Sequence, residues 1–133
     1  MGVDSMAGLL TRFRDPLFAQ LIGDDRAYRL HDVEALLYRP SDSERPVGRL
    51  WESRWSNNMG SLTLDLAGLP ADHDGTAQLY ADGMLLAGFD FAGRRLAFSW
   101  IGRLSGESLS FEAGQTVRLE VGRLVVSGIV CSR

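Results

Sequence analysis

The sequence predicts a mainly β protein, an antiparallel β-sandwich or partly closed barrel of about eight to ten short strands with an N-terminal helical segment. From Gly60 to Val130, apolar and polar residues alternate in short runs, as on strands that bury one face. Glycine-bearing turns separate these runs and are too short for the crossover helices that parallel strands need. The runs are Leu62-Leu64-Leu66, Ala77-Leu79-Ala81, Leu96-Phe98-Trp100, Leu109-Phe111, Val117-Leu119-Val121 and Leu124-Val126.

The helical segment is predicted over residues 5–22, where apolar residues recur at helical spacing. Pro16 either kinks this helix or begins a second short helix after Asp15, and Gly23 suits its end. The apolar stripe is too large to stay in water, so the segment must cover the β ladder or dock on a partner. The stripe consists of Met6, Leu9, Leu10, Phe13, Leu17, Phe18, Leu21 and Ile22.

The first strands are predicted before the ladder begins. Residues 27–38 alternate with one interruption, which indicates a long or bulged strand. Residues 39–46 carry two prolines and several charges, which is typical of an exposed loop within one domain. Residues 47–55 predict a strand that turns at residues 57–60, and residues 68–75 have loop composition.

Two hairpins are predicted within the ladder. Asp82-Gly83 supplies the positive φ angles of a two-residue type I′ turn, and Gly122-Arg123 makes a similar turn near the end. The two hairpins resemble each other at a spacing of forty residues, Leu79 to Leu119. We attribute this to the residue pattern that hairpins have in common rather than to a repeat architecture. We expect residues 1–133 to form a single domain.

Composition excludes several classes of protein. The net charge is -3 with acids and bases interspersed, so we expect no binding to nucleic acid and none to membranes. All fourteen basic residues are arginine, which rules out lysine chemistry and indicates a GC-rich coding bias, hence a bacterial or phage source. The lone Cys131 cannot form an internal disulfide. The N-terminus lacks the pattern of a signal peptide, so a cytoplasmic location is expected.

The predicted binding residues are Trp51, Arg54, Trp55 and Arg49, on or beside the strand at residues 47–55. Strand alternation places Trp51 and Trp55 on one face and Arg54 on the other. Tryptophan and arginine dominate protein interface hot spots, so an exposed tryptophan face predicts a protein interface. The alternative, that both tryptophans pack in the core, is the more common fate of tryptophan in a small domain.

A divalent metal site is a weaker hypothesis for Asp72, His73 and Asp74. Carboxylates and an imidazole are suitable ligands, but three adjacent side chains seldom reach one ion. The Asp-Gly ending also fits an ordinary polar turn. We therefore predict no metal and no other cofactor.

The functional prediction is a non-catalytic binding or assembly module that acts through protein contacts or self-association, because no catalytic motif occurs in the chain. The first alternative is a domain that binds a small carbohydrate or apolar ligand at the open end of the barrel or sandwich, which aromatic residues line. The second is an enzyme built on dispersed acids and histidines, or on a cysteine–histidine pair. The aromatic residues are Phe89, Phe91, Phe98 and Trp100, and the enzyme candidates are His31, His73 and Cys131.

Overall fold

A computed structural model, which describes residues 27–71 and 73–133, shows a mainly β protein with two antiparallel sheets. The predicted helix at residues 5–22 lies outside the described residues. No helix among those residues is long and apolar enough to cross a membrane. The strands are β1 (Arg29–Leu37), β2 (Gly48–Trp55), β3 (Met59–Leu66), β4 (Thr76–Ala81), β5 (Met84–Asp90), β6 (Leu96–Arg103), β7 (Thr116–Val121), β8 (Leu124–Ile129) and β9 (Cys131–Ser132).

The strands form a five-stranded sheet in the order β9-β1-β2-β3-β6 and a four-stranded sheet in the order β5-β4-β7-β8. Every pairing between them is antiparallel, as the short turns predict. At one corner the sheets are joined through the backbone: the Tyr38 amide donates to the Ser127 carbonyl at 2.8 Å, and the Ser127 amide donates back at 3.0 Å. Of the two alternatives for the first strand, long or bulged, the structure shows an irregular one, with a register shift between Arg29 and His31.

One hydrophobic core lies between the two sheets, and the alternating rungs of the ladder supply most of it. We call the face of the five-stranded sheet that packs on this core its inner face, and the opposite face its outer face. The fully buried members include Ala35, Leu37, Leu50, Leu64, Leu66, Ala77, Leu79, Val117, Leu119, Val121 and Val126.

The hairpin predictions are confirmed. Asp82 and Gly83 both have positive φ, 49° and 82°, and connect β4 to β5. Gly122, with φ 60°, connects β7 to β8. The two similar hairpins lie side by side, because β4 pairs with β7 at the centre of the four-stranded sheet and places Leu79 opposite Leu119.

The expected rung Leu109-Phe111 is wrong. These residues lie in the loop between β6 and β7, although Phe111 is fully buried in the core. The Phe111 amide donates to the Glu52 carboxylate at 3.0 Å instead of joining a strand ladder. A buried side chain in an irregular loop needs such a backbone partner, which the alternation alone does not reveal.

Candidate functional site

The two tryptophans of the predicted interface lie buried on the outer face, with 1% of Trp51 and 3% of Trp55 exposed. Arg49 and Arg133 lie over the Trp51 ring, with guanidinium carbons 4.1 and 4.2 Å from its centroid. Cations at this distance from an indole are attracted by its negative face. Both indoles are therefore buried, but on the face opposite the hydrophobic core, and they offer little area to a partner.

Asp32 fixes Trp51 from the neighbouring strand. Its Oδ1 accepts hydrogen bonds from the indole Nε1 at 2.5 Å and from the Ser53 hydroxyl at 2.8 Å, and its Oδ2 pairs with Arg29 at 2.5 Å. The register between β1 and β2 brings these groups together, because Asp32 lies directly opposite Ser53. Arg49, one of the predicted binding residues, is held in an ion pair with Glu34.

Arg54, the other predicted arginine, belongs to a second cluster at the inner face, around the buried carboxylate of Glu52. Only 2% of Glu52 is exposed. Its Oε2 accepts from Arg54 Nε at 2.8 Å, and its Oε1 lies 3.0 Å from His31 Nε2 and accepts the Phe111 amide. Arg54 also bonds the Ser110 hydroxyl. The cluster ties β1 and β2 to the loop that carries Phe111.

The Glu52 cluster went unpredicted, although one signal for it was in the sequence. Alternation places Glu52 on the same face as Leu50 and therefore predicts a carboxylate at the core. A buried carboxylate requires charged or hydrogen-bonding partners. Those partners, His31 and Phe111, come from distant parts of the chain and cannot be assigned without the strand register.

His73 and Asp74 use their polar atoms for hydrogen bonds within the protein. His73 donates from Nε2 to the Gly93 carbonyl at 2.6 Å and accepts the Gly75 amide at Nδ1, 2.9 Å away. Asp74 accepts from the Thr76 amide and hydroxyl at 3.1 and 2.8 Å. Asp72 lies outside the described residues, among which no group of three or more histidine, cysteine or acidic residues is placed to hold a metal ion. Of the proposed cysteine–histidine pair, Cys131 lies opposite Glu34, whereas His31 bonds Glu52.

The Asp74 turn gives a prediction about pH. The hydrogen bond from the Thr76 hydroxyl, and secondarily that from its amide, holds the pKa of Asp74 below its ordinary value. A lowered pKa stabilises the fold at neutral pH, and that contribution is lost as the pH falls through the folded-state pKa. We expect Thr76→Val to raise the pKa of Asp74 towards its ordinary value in an NMR titration, with Thr116→Val as the control that leaves it unchanged. An unmoved pKa in Thr76→Val would contradict the assignment.

Residues of the described part of the chain line at least two surface grooves. The larger, about 610 Å³, lies where β1 and β9 meet β8, and the exposed side chains of Leu36 and Ile129 line it together with the thiol-bearing Cys131. The smaller, about 270 Å³, lies between β6 and the following loop and is lined by Phe98 and Trp100. Two of the four aromatic residues of the ligand-binding alternative thus border one groove. Phe89 lies close to this groove, because its ring packs on Phe98 with centroids 4.8 Å apart. Phe91 lies elsewhere and packs on His73.

An exposed edge strand is the remaining notable surface. Among the described strands, β6 pairs only with β3, through eight consecutive residue pairs without a register shift. Trp100 is 36% exposed and Ile101 38%. The two residues point to opposite faces, so both sides of this edge carry exposed apolar surface.

The chain matches no protein-family model, no curated protein and no solved structure. Its function has to be inferred from the surfaces described above.

Proposed function

We propose that the protein is a non-catalytic assembly module that self-associates, and that the free edge of β6 is where two copies meet. The observation that carries this proposal is an eight-residue edge that pairs with no second strand of the described chain, together with two exposed large apolar side chains, Trp100 and Ile101. An edge strand presents a row of unpaired amide and carbonyl groups, which is a template for pairing with a strand of another chain.

The edge of β6 lacks most devices with which monomeric proteins protect such a strand. Residues 96–102 contain no charge and no proline, and the chain contains no lysine at all. The pairing with β3 has no bulge that would twist the edge away. Arg103 at the end of the strand is its one charged residue. An edge of this kind either aggregates or is paired in the working protein.

Charge and symmetry favour one arrangement of two copies. A two-fold axis at the edge pairs the two copies of β6 antiparallel. Residues directly opposite each other then project their side chains to the same side of the combined sheet. If the axis passes through Trp100, Arg103 of one copy faces Ala97 of the other. If it passes through Ser99, Arg103 faces Arg95, and these like charges repel. A centre on any other residue pairs fewer residues of β6 than these two, so we propose the register centred on Trp100.

The test is the oligomeric state of the full chain at micromolar concentrations, measured by analytical ultracentrifugation. We expect the unmodified protein to be a dimer and Ile101→Lys to be a monomer, because a lysine on the edge opposes strand pairing. Leu85→Lys is the matched control. It makes the same kind of change at an exposed residue of β5, the edge of the other sheet, and should remain dimeric.

A strictly monomeric unmodified protein would overturn the self-association proposal. Loss of the dimer in both variants would overturn the assignment to β6, since it would point to a general effect of added positive charge. A dimer that survives Ile101→Lys but not Leu85→Lys would assign the contact to β5 instead.

A second candidate is the binding of a small apolar or carbohydrate ligand in the groove beside Phe98 and Trp100. The observation that favours it is the half-exposed Trp100 ring at the border of a preformed groove. We rank it second because the groove, about 270 Å³, is smaller than the typical range of about 300–1,000 Å³ for ligand sites.

A further inference from the structure

The outer face of the five-stranded sheet is buried at its centre, although the core lies on its other side. Besides Trp51 and Trp55, the side chains of Ser53, Ser61 and Thr63 are all buried there. The four-stranded sheet packs on the inner face, and no described strand lies over this group. Two arginines cover the Trp51 ring. Central side chains on an otherwise uncovered sheet face remain in contact with water, so some further surface must lie on the rest of the group.

The burial is confined to a band across β2 and β3. On the flanking strands the outer face is more open: on β1, Leu36 is 39% exposed and Asp32 and Glu34 are half-buried, and on β6 Ser99 and Ile101 are exposed. Strands lie about 4.8 Å apart, so a band of two strands is about as wide as one α-helix, roughly 10 Å. The shape of the buried band fits a single helix rather than a second sheet.

The buried hydroxyls indicate that the covering surface is apolar. Ser61 Oγ and Thr63 Oγ1 are both buried without a hydrogen-bond partner. Hydroxyls that reach water would be satisfied by it, and leaving them unpaired costs free energy. A covering surface of apolar side chains excludes water from both atoms and offers them no partner.

The chain supplies a segment with these properties next to the band. The described chain begins at Ala27, and Tyr28 is held beside Ser56, directly after Trp55: the Ser56 amide donates to the Tyr28 carbonyl at 2.8 Å. Residues 5–22 therefore connect to this end of the band through only four residues, 23–26. As a single helix kinked at Pro16, one of the two arrangements that their sequence predicts, they would be about 27 Å long, which matches the length of an eight-residue strand, about 26 Å.

We propose that residues 5–22 dock through their apolar stripe on the outer face of the same chain, over β2 and β3. The face that carries Trp51 and Trp55 is then an intramolecular docking site. This inference does not depend on the edge of β6 and stands or falls separately from the proposed function.

Thiol accessibility tests the docking on the full chain in a Cys131→Ser background. Ser61→Cys places a thiol in the buried band, and Ala77→Cys places one in the core between the sheets. Each is combined with Phe13→Asp, which puts a charge on the stripe, or with Ala19→Asp, which makes the same change on the opposite face of the predicted helix. The rate of modification by iodoacetamide under native conditions is measured in all of them.

We expect Phe13→Asp to accelerate modification of Ser61→Cys severalfold while Ala77→Cys stays protected. Ala19→Asp should leave both thiols slow. Protection of Ser61→Cys that persists in Phe13→Asp, with a folded core, would overturn the proposal. Rapid modification of Ala77→Cys would show instead that Phe13→Asp unfolds the domain. The docking is then tested by a second measurement that leaves the fold intact.

That measurement is photo-crosslinking with p-benzoyl-phenylalanine in place of Phe13. The exchange keeps an aromatic side chain at this position. We expect crosslinks within one chain to peptides from residues 48–66. Crosslinks to the four-stranded sheet, or to a second chain, would overturn intramolecular docking on this face.

Discussion

Replacing Glu52 by alanine is expected to lower the free energy of unfolding by about 3 kcal/mol, the lower end of the range for breaking a buried charged network. The buried carboxylate accepts the Phe111 amide and pairs with Arg54 and His31. Its removal leaves the buried amide without an acceptor and a cavity beside the core. Arg54 and His31 are partly exposed and regain water, which limits the loss. Chemical denaturation monitored by tryptophan fluorescence measures the change.

Glu112→Ala is the matched control for this prediction. Glu112 also faces Arg54, at 3.9 Å, but its side chain is 68% exposed. A surface ion pair of this kind contributes little, so we expect a change below about 0.5 kcal/mol. Glu52→Gln should fall between the two, since the amide oxygen still accepts the Phe111 amide but the charge is lost. If Glu52→Ala is no more harmful than Glu112→Ala, the cluster does not stabilise the fold.

The regular part of this fold is predictable because its signal is local. The alternation of Leu62, Leu64 and Leu66 requires only that one face of a strand be buried, and the Asp82-Gly83 turn only that two residues adopt positive φ. The same alternation correctly separates Trp51 from Arg54, which lie on opposite faces. Features that depend on a few neighbouring residues were therefore accessible from the sequence.

The candidate sites are less predictable because they depend on contacts between distant residues. Alternation shows that Trp51 and Trp55 share a face, but not whether that face is covered. The partners of Glu52 lie 21 and 59 residues away, at His31 and Phe111, and only the register between β1 and β2 and the course of a loop bring them together. The rung expected at Leu109-Phe111 failed for the same reason.

Gly128→Ala is expected to destabilise the protein by about 3 kcal/mol, through overpacking and the loss of backbone hydrogen bonds. A Cβ on Gly128 would overlap the carbonyl oxygen of Leu36 and lie 3.0 Å from its carbonyl carbon. These are backbone atoms, so no side-chain rotation relieves the overlap, and β8 has to move away from β1. That movement breaks the hydrogen bonds between Tyr38 and Ser127, which join the two sheets at this corner.

Gly88→Ala separates this effect from the general cost of replacing a strand glycine. Gly88 lies on the edge strand β5, and the nearest atom to an added Cβ is the Ala77 carbonyl oxygen at an ordinary 3.8 Å. We expect its free energy of unfolding to change by less than about 0.5 kcal/mol, or to rise slightly, because alanine restricts the unfolded chain. Equal stability of Gly128→Ala and Gly88→Ala would mean that β1 and β8 are free to separate. The Tyr38–Ser127 junction would then not hold the two sheets together.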